Sequence, residues 1–124
     1  MVDVETLIAK ALKDTLGVPA YLEVPENAPD SFLVVEQTAM GAASDHVGVS
    51  YLATVSLDID CWCLKNQRKQ AKALANSVIN SLPTLGTKPM TTTKCTNAYR
   101  ENDPDTGRSR YIVQVETTIL TKED

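Results

Sequence analysis

The sequence predicts an α+β domain: a mainly antiparallel sheet with two amphipathic helices packed on one face, in the order α-β-β-β-α-β-β. Three observations carry this. Two segments, near residues 4–16 and 67–82, repeat apolar residues at three- and four-residue steps. Long segments between and after them alternate apolar and polar residues with the period of a half-buried strand. Within each half of the chain the strands also follow one another without an intervening helix, as antiparallel neighbours do.

The first helix is expected from Val4 to Leu16, with Val4, Leu7, Ile8, Ala11, Leu12 and Leu16 on one face. Asp3 is placed to cap its first amides, Gly17 to take the left-handed end, and Pro19 to stop continuation. Strand composition follows at Tyr21–Val24 and Phe32–Thr38, divided by the turn-rich PENAPDS. Residues 39–50, AMGAASDHVGVS, are small, polar and glycine-containing, and read as a mobile loop that a partner could order.

From Tyr51 to Cys63 the alternation is long, placing Tyr51, Ala53, Val55, Leu57, Ile59, Cys61 and Cys63 on a core face. Thr54, Ser56, Asp58 and Asp60 then share a wet face. Trp62 belongs to that second face, where an exposed indole would serve as an interface anchor. A second helix is expected from Gln67 to Leu82, capped by Asn66 and ended by Pro83. Strands at Thr91–Tyr99 and Tyr111–Ile119 complete the sheet, with NDPDTG turning the chain between them.

At 124 residues the chain reads as one domain, residues 1–124. Aromatic residues make up only 5%, so the core must be built from Val, Ile, Leu and Ala, and association is a natural route to further burial. No apolar run approaches the ~18 residues of a membrane span, and MVDVETLIAK does not resemble a secretory leader. A cytosolic chain with reduced cysteines is the expectation. The net charge of -4 is uneven, because residues 1–64 hold ten acids against two bases while the remainder holds ten bases against six acids. That asymmetry suits head-to-tail association of copies.

Candidate chemistry is sparse. Asp103, Asp105 and Gly107 have the D-x-D-x-G spacing that opens calcium loops, but glycine stands where a fifth-position ligand is needed and Arg108 and Arg110 follow. Asp, Pro and Gly also have their own turn-forming reasons, so a hairpin turn is the expected role and no metal is assigned. Cys61 and Cys63 supply two of the four ligands a structural metal needs, and would require Cys95 and His46 to converge; small buried hydrophobes are the simpler reading. Nothing resembles a nucleophile elbow or phosphate loop, so no catalytic residue and no cofactor is expected.

Lys65, Arg68, Lys69 and Lys72 crowd the start of the second helix, where the helix dipole is already positive. The cluster is either a solvated face or a site for an acidic surface or phosphate. An acidic chain without interleaved aromatics argues against sequence-specific nucleic-acid binding. Acids on a neighbouring copy are the better partner. The candidate interface residues are therefore Lys65, Arg68, Lys69, Lys72, Trp62 and His46, with Arg100, Arg108 and Arg110 around the acidic hairpin tip.

The opening helix ending in LG, the strand with YLEVPENAP, the apolar FLVVEQT, a strand ending in DIDCWC and a hairpin built on DPDTGRSRY have a familiar combined order. Together they resemble the tail-completion proteins of long-tailed phages, the tail terminators of lambda type. The resemblance covers nearly the whole chain and rests most on VPENAPDSFLVVE and DPDTGRSRY. It implies a structural virion protein that forms a ring, commonly a hexamer, on the tail tube. Its implied partners are further copies of itself, the tail tube protein and a head-completion connector, with assembly in the host cytoplasm and no membrane. The alternatives are another neck or minor tail adaptor, or a small metal-dependent binding protein.

Overall fold

The structure is a computed structural model, and it describes residues 3–47, 50–85 and 90–122. In chain order the elements are α1 (Val4–Leu16), β1 (Ala20–Tyr21), β2 (Phe32–Val47), β3 (Ser50–Lys65), α2 (Arg68–Ser81), β4 (Met90–Arg100) and β5 (Arg108–Lys122). The class is α+β, and the order is the one the sequence predicts.

Helix α1 begins where expected: the Asp3 carboxylate accepts hydrogen bonds from the Thr6 amide at 3.3 Å and the Thr6 hydroxyl at 2.7 Å. It ends at Gly17, whose φ of 68° favours glycine. Its inward stripe buries Val4, Ile8 and Leu12 almost completely. Each such side chain contributes about 1.5–3 kcal/mol of burial.

One sheet, ordered β1-β2-β3-β5-β4, carries the fold. All neighbours are antiparallel except β1 and β2, which pair in parallel at Ala20–Leu33 and Tyr21–Val34. The expected strand at Tyr21–Val24 therefore shrinks to two residues, and Leu22 and Val24 are exposed. Both helices lie on one face of the sheet, over Leu33, Val35, Val55, Leu57, Ile59, Val113 and Val115. The core is aliphatic, as the composition requires.

Residues 39–47 correct the expected mobile loop, because they continue β2 against β3 as far as the Val47–Ser50 pair. Register shifts at Gln37/Ala39 and Ala42/His46 break the side-chain alternation while the backbone ladder goes on. Small polar residues lack the apolar pattern of a strand, but their amides and carbonyls pair equally well. At the first shift the Gln37 amide turns to α1 and donates to Glu5 Oε2 at 2.7 Å. Positions 48 and 49, the remainder of that expected loop, lie outside the described residues.

The start of α2 also differs from expectation. Asn66 adopts φ 62°, a left-handed turn out of β3, and Gln67 takes the cap position without a side-chain hydrogen bond. Beyond Ser81 a short 3-10 turn, Leu82–Thr84, absorbs Pro83.

Candidate functional site

Two faces of the sheet have to be considered, because successive strand residues point to opposite sides. On the helix-covered side, α2 opens unusually. The amides of Arg68, Lys69 and Gln70 have no carbonyl one turn earlier to bond, Gln67 offers no side-chain cap, and no acid stands in the first turn. Cations stand there instead, at a cost of a few tenths of a kcal/mol each from the helix dipole.

Arg100 joins them from β4. It pairs with Tyr111 in register, on the side where Tyr111 packs on the main core, and so reaches the helix side of the sheet. Arg68, Lys69 and Arg100 line an open cavity of about 510 Å³ whose floor includes Gly107 and Ser109. Arg68, Lys69, Lys72, Arg100 and Tyr111 line a neighbouring depression of about 430 Å³. The stem of Lys65 lies against Gly107, which fills part of the rim. All five cations are exposed, and among the described residues none of them makes an ion pair.

Arg108 and Arg110 do not join this group. The Arg108 guanidinium donates to the carbonyls of Pro29 at 2.6 Å, Asp30 at 2.9 Å and Cys63 at 3.2 Å, and sits 5.1 Å from the Phe32 ring centre. It clamps the loop before β2 onto β3. Arg110 lies 4.7 Å over the Trp62 ring, 3.8 Å from Asp60 and 3.6 Å from Glu101, and its Nε donates to the Glu101 carbonyl. Both arginines are consumed inside the chain, not offered around a protruding tip.

Trp62 is on the second face, as alternation requires, but it is not the expected exposed anchor. It is 6% exposed, stacked on Phe32 at 5.8 Å with the rings 3° from parallel, and covered by Arg110. Tyr21 closes the cluster edge-on to Phe32 at 6.0 Å. This end of the second face is therefore a small apolar core in its own right. His46 stands opposite Tyr51 in the β2–β3 ladder, far along the hairpin from the basic group; its side chain lies outside the described residues.

The hairpin tip is a built turn. The Asp103 carboxylate accepts from the Thr106 amide at 3.1 Å and from its hydroxyl, which holds its pKa below the usual value, and Gly107 takes φ 72°. Asp103 thus serves the turn its sequence also suggested. Cys61 is fully buried, and burial, with Asp60 and Cys63 nearby, pushes its thiol far above the usual range, so it stays protonated. Among the described residues no group of three or more His, Cys, Asp or Glu side chains could hold a metal ion.

Sequence reasoning passed over the acids beside Trp62. Glu36 and Asp58 stand directly opposite each other across β2 and β3, and Asp60 follows Asp58 on the same face. Burial raises the Asp60 pKa to about 6, with Arg110 opposing the shift and Asp58, Glu36 and Glu101 adding to it. Burial also raises Asp58, against a hydrogen bond from Gln114. Asp60 Oδ1 and Trp62 Nε1 are buried without a hydrogen-bond partner among the described residues. The alternation of aspartates along β3 was the available signal; the opposing Glu36 depends on register.

Among the described residues no helix is long and apolar enough to cross a membrane. No curated protein matches the chain. The profile of the family described as Tail completion protein gp17 matches residues 6–120, which reaches from α1 into β5. The chain belongs to that family of phage tail-completion proteins and has a structural role in the phage tail.

Proposed function

We propose that this chain caps the tail tube, ends its polymerisation and forms part of the head-tail junction as a homo-oligomeric ring. It acts as a single domain, without catalysis or cofactor, and six copies is the ring size that its resemblance to the lambda-type terminators implies. Its partners are its own copies, the tail tube protein and a head-completion connector. It assembles in the host cytoplasm before entering the virion.

The observation that carries the reading is the group of exposed, unpaired cations at the start of α2, joined by Arg100 from a distant part of the chain. Uncompensated charge at a helix end where it is unfavourable is retained where an acidic surface meets it in the assembly. The ring contact sets Arg68, Lys69 and Lys72 against acids of the adjacent copy. Residues 39–50, which the β2–β3 ladder carries as far as the Val47–Ser50 pair, meet the tube, its lumen or a neighbour.

Phage particles lacking the chain test the capping role by electron microscopy: tubes of uncontrolled length without heads are expected. Tubes of normal length would overturn it. Arg68→Glu with Lys72→Glu should weaken oligomers in sedimentation velocity, more strongly at low salt; unchanged sedimentation would count against the basic end as the ring contact.

A further inference from the structure

Among the described residues no helix lies over the sheet face turned away from α1 and α2, and only its Phe32–Trp62 end is covered, by Tyr21, Ala28 and Arg110. Its rows, read across strands by register, are Val34–Asp60–Ile112–Tyr99, then Glu36–Asp58–Gln114–Asn97, then Ser56–Glu116–Lys94. One end is apolar, with Trp62 and Ile112 buried and Tyr99 exposed, and the middle is acidic. Lys94 neutralises Glu116 at 3.7 Å, and Arg110 reaches Asp60. Among the described residues Glu36 and Asp58 make no ion pair. Like charges directly opposite each other in a ladder are destabilising, so this pair is a local cost in the free chain.

We propose that the uncovered sheet face, at Glu36, Asp58 and Asp60, receives the basic end of α2 of a second copy, through Arg68, Lys69 and Lys72 with Arg100. This rests on the self-association reading above and names the acceptor that reading left open. The two charged groups cannot meet within one chain, because the acids point away from the helices and the cations stand among them. They are opposite in sign, Glu36, Asp58 and the cations make no ion pair among the described residues while Asp60 is held by Arg110, and a cation over Glu36 and Asp58 relieves their repulsion.

The same charges decide how copies can associate. A two-fold dimer through the sheet faces would set acid on acid, and one through the helix ends would set base on base. The head-to-tail arrangement matches sign to sign with the two groups on opposite sides of the sheet, and such a contact repeats from copy to copy until it closes. The exposed Tyr99 ring, on the edge strand two strands from Asp60, adds apolar surface to this face.

Charge exchange between two variants tests the proposal. The acceptor variant is Glu36→Lys with Asp58→Lys, the donor variant is Arg68→Glu with Lys72→Glu, and thermal melting checks that both fold. Glu36→Lys alone, at an exposed position, serves if the double acceptor variant does not fold. In sedimentation velocity at low salt each variant alone should associate at least about tenfold more weakly than wild type. An equimolar mixture should regain the wild-type species, because both mixed contacts again pair opposite charges. Wild type that assembles while the acceptor variant assembles equally well overturns the inference alone and assigns that face to another basic partner. Failure of the mixture to recover also overturns it. Wild type that remains monomeric at all protein and salt concentrations sinks the self-association reading and this inference together.

Discussion

The guanidinium of Arg110 lies 4.7 Å over the ring of Trp62 and, from the same position, 3.8 Å from the carboxylate of Asp60. One side chain on β5 thus covers an indole and offsets a carboxylate that burial would otherwise hold neutral. Removing it by Arg110→Ala leaves Asp60 among Asp58, Glu36 and Glu101 with no cation. A loss of about 2–4 kcal/mol in urea unfolding is expected, within the range for breaking a partly buried pair and a cation–π contact. Arg110→Lys should recover part of it. An unchanged midpoint would show that the cluster does not depend on Arg110.

Asp60 makes stability depend on pH in a defined direction. Its folded pKa, about 6, lies above its ordinary value of 3.8, so the folded state binds the proton more readily. The stabilisation is full below the ordinary value and is lost as pH rises through the folded one. Lowering pH from about 7 to about 5 should therefore raise the melting temperature, and Asp60→Asn should flatten that rise. Asp3 and Asp103, whose pKa values are lowered by their bonds to Thr6 and Thr106, act in the opposite sense, but only as pH falls through their ordinary range. A melting profile unchanged by Asp60→Asn would contradict the assignment.

Arg108→Ala removes three donors to backbone carbonyls at once. The loop before β2 then loses its clamp to β3, and about 2–4 kcal/mol of stability should go with it, since hydrogen bonds from charged groups contribute about 1.5–3 kcal/mol each and share one ordering cost. Limited proteolysis should cut the variant between residues 22 and 31 faster than wild type. Equal cleavage rates would show that the Tyr21–Phe32 contact holds the loop unaided.

Gly107→Ala tests the hairpin turn. A Cβ there meets only the flexible stem of Lys65 at 3.5 Å, so crowding is minor and the positive φ is the obstacle. A loss of about 1 kcal/mol is expected from that backbone strain. Calcium should leave the melting temperature of wild type unchanged, because the Asp103 carboxylate is engaged by Thr106. A calcium-dependent rise would restore the metal reading of this turn.

Local order was legible in the residues. The helix stripes, the Asp3 cap, the Gly17 end and the Ala53–Cys63 alternation each follow from the chemistry of near neighbours, which the chain carries wherever it folds. The family resemblance likewise rested on element order, and the profile match over residues 6–120 confirms it. The basic start of α2 could be read directly because its cations lie within two turns of helix.

What only tertiary structure decided depends on register between distant segments. Backbone pairing carried residues 39–47 into β2 although their side chains give no strand pattern. The β2–β3 and β3–β5 registers placed Phe32, Trp62 and Arg110 in one row, which buried an indole that alternation alone left facing solvent. The same registers set Glu36 against Asp58, drew Arg108 and Arg110 inward and left Arg100 outward with the α2 cations. A one-residue slip would exchange the two faces of a strand, so charge counts along the chain could indicate an uneven surface but could not say which side of the sheet was acidic.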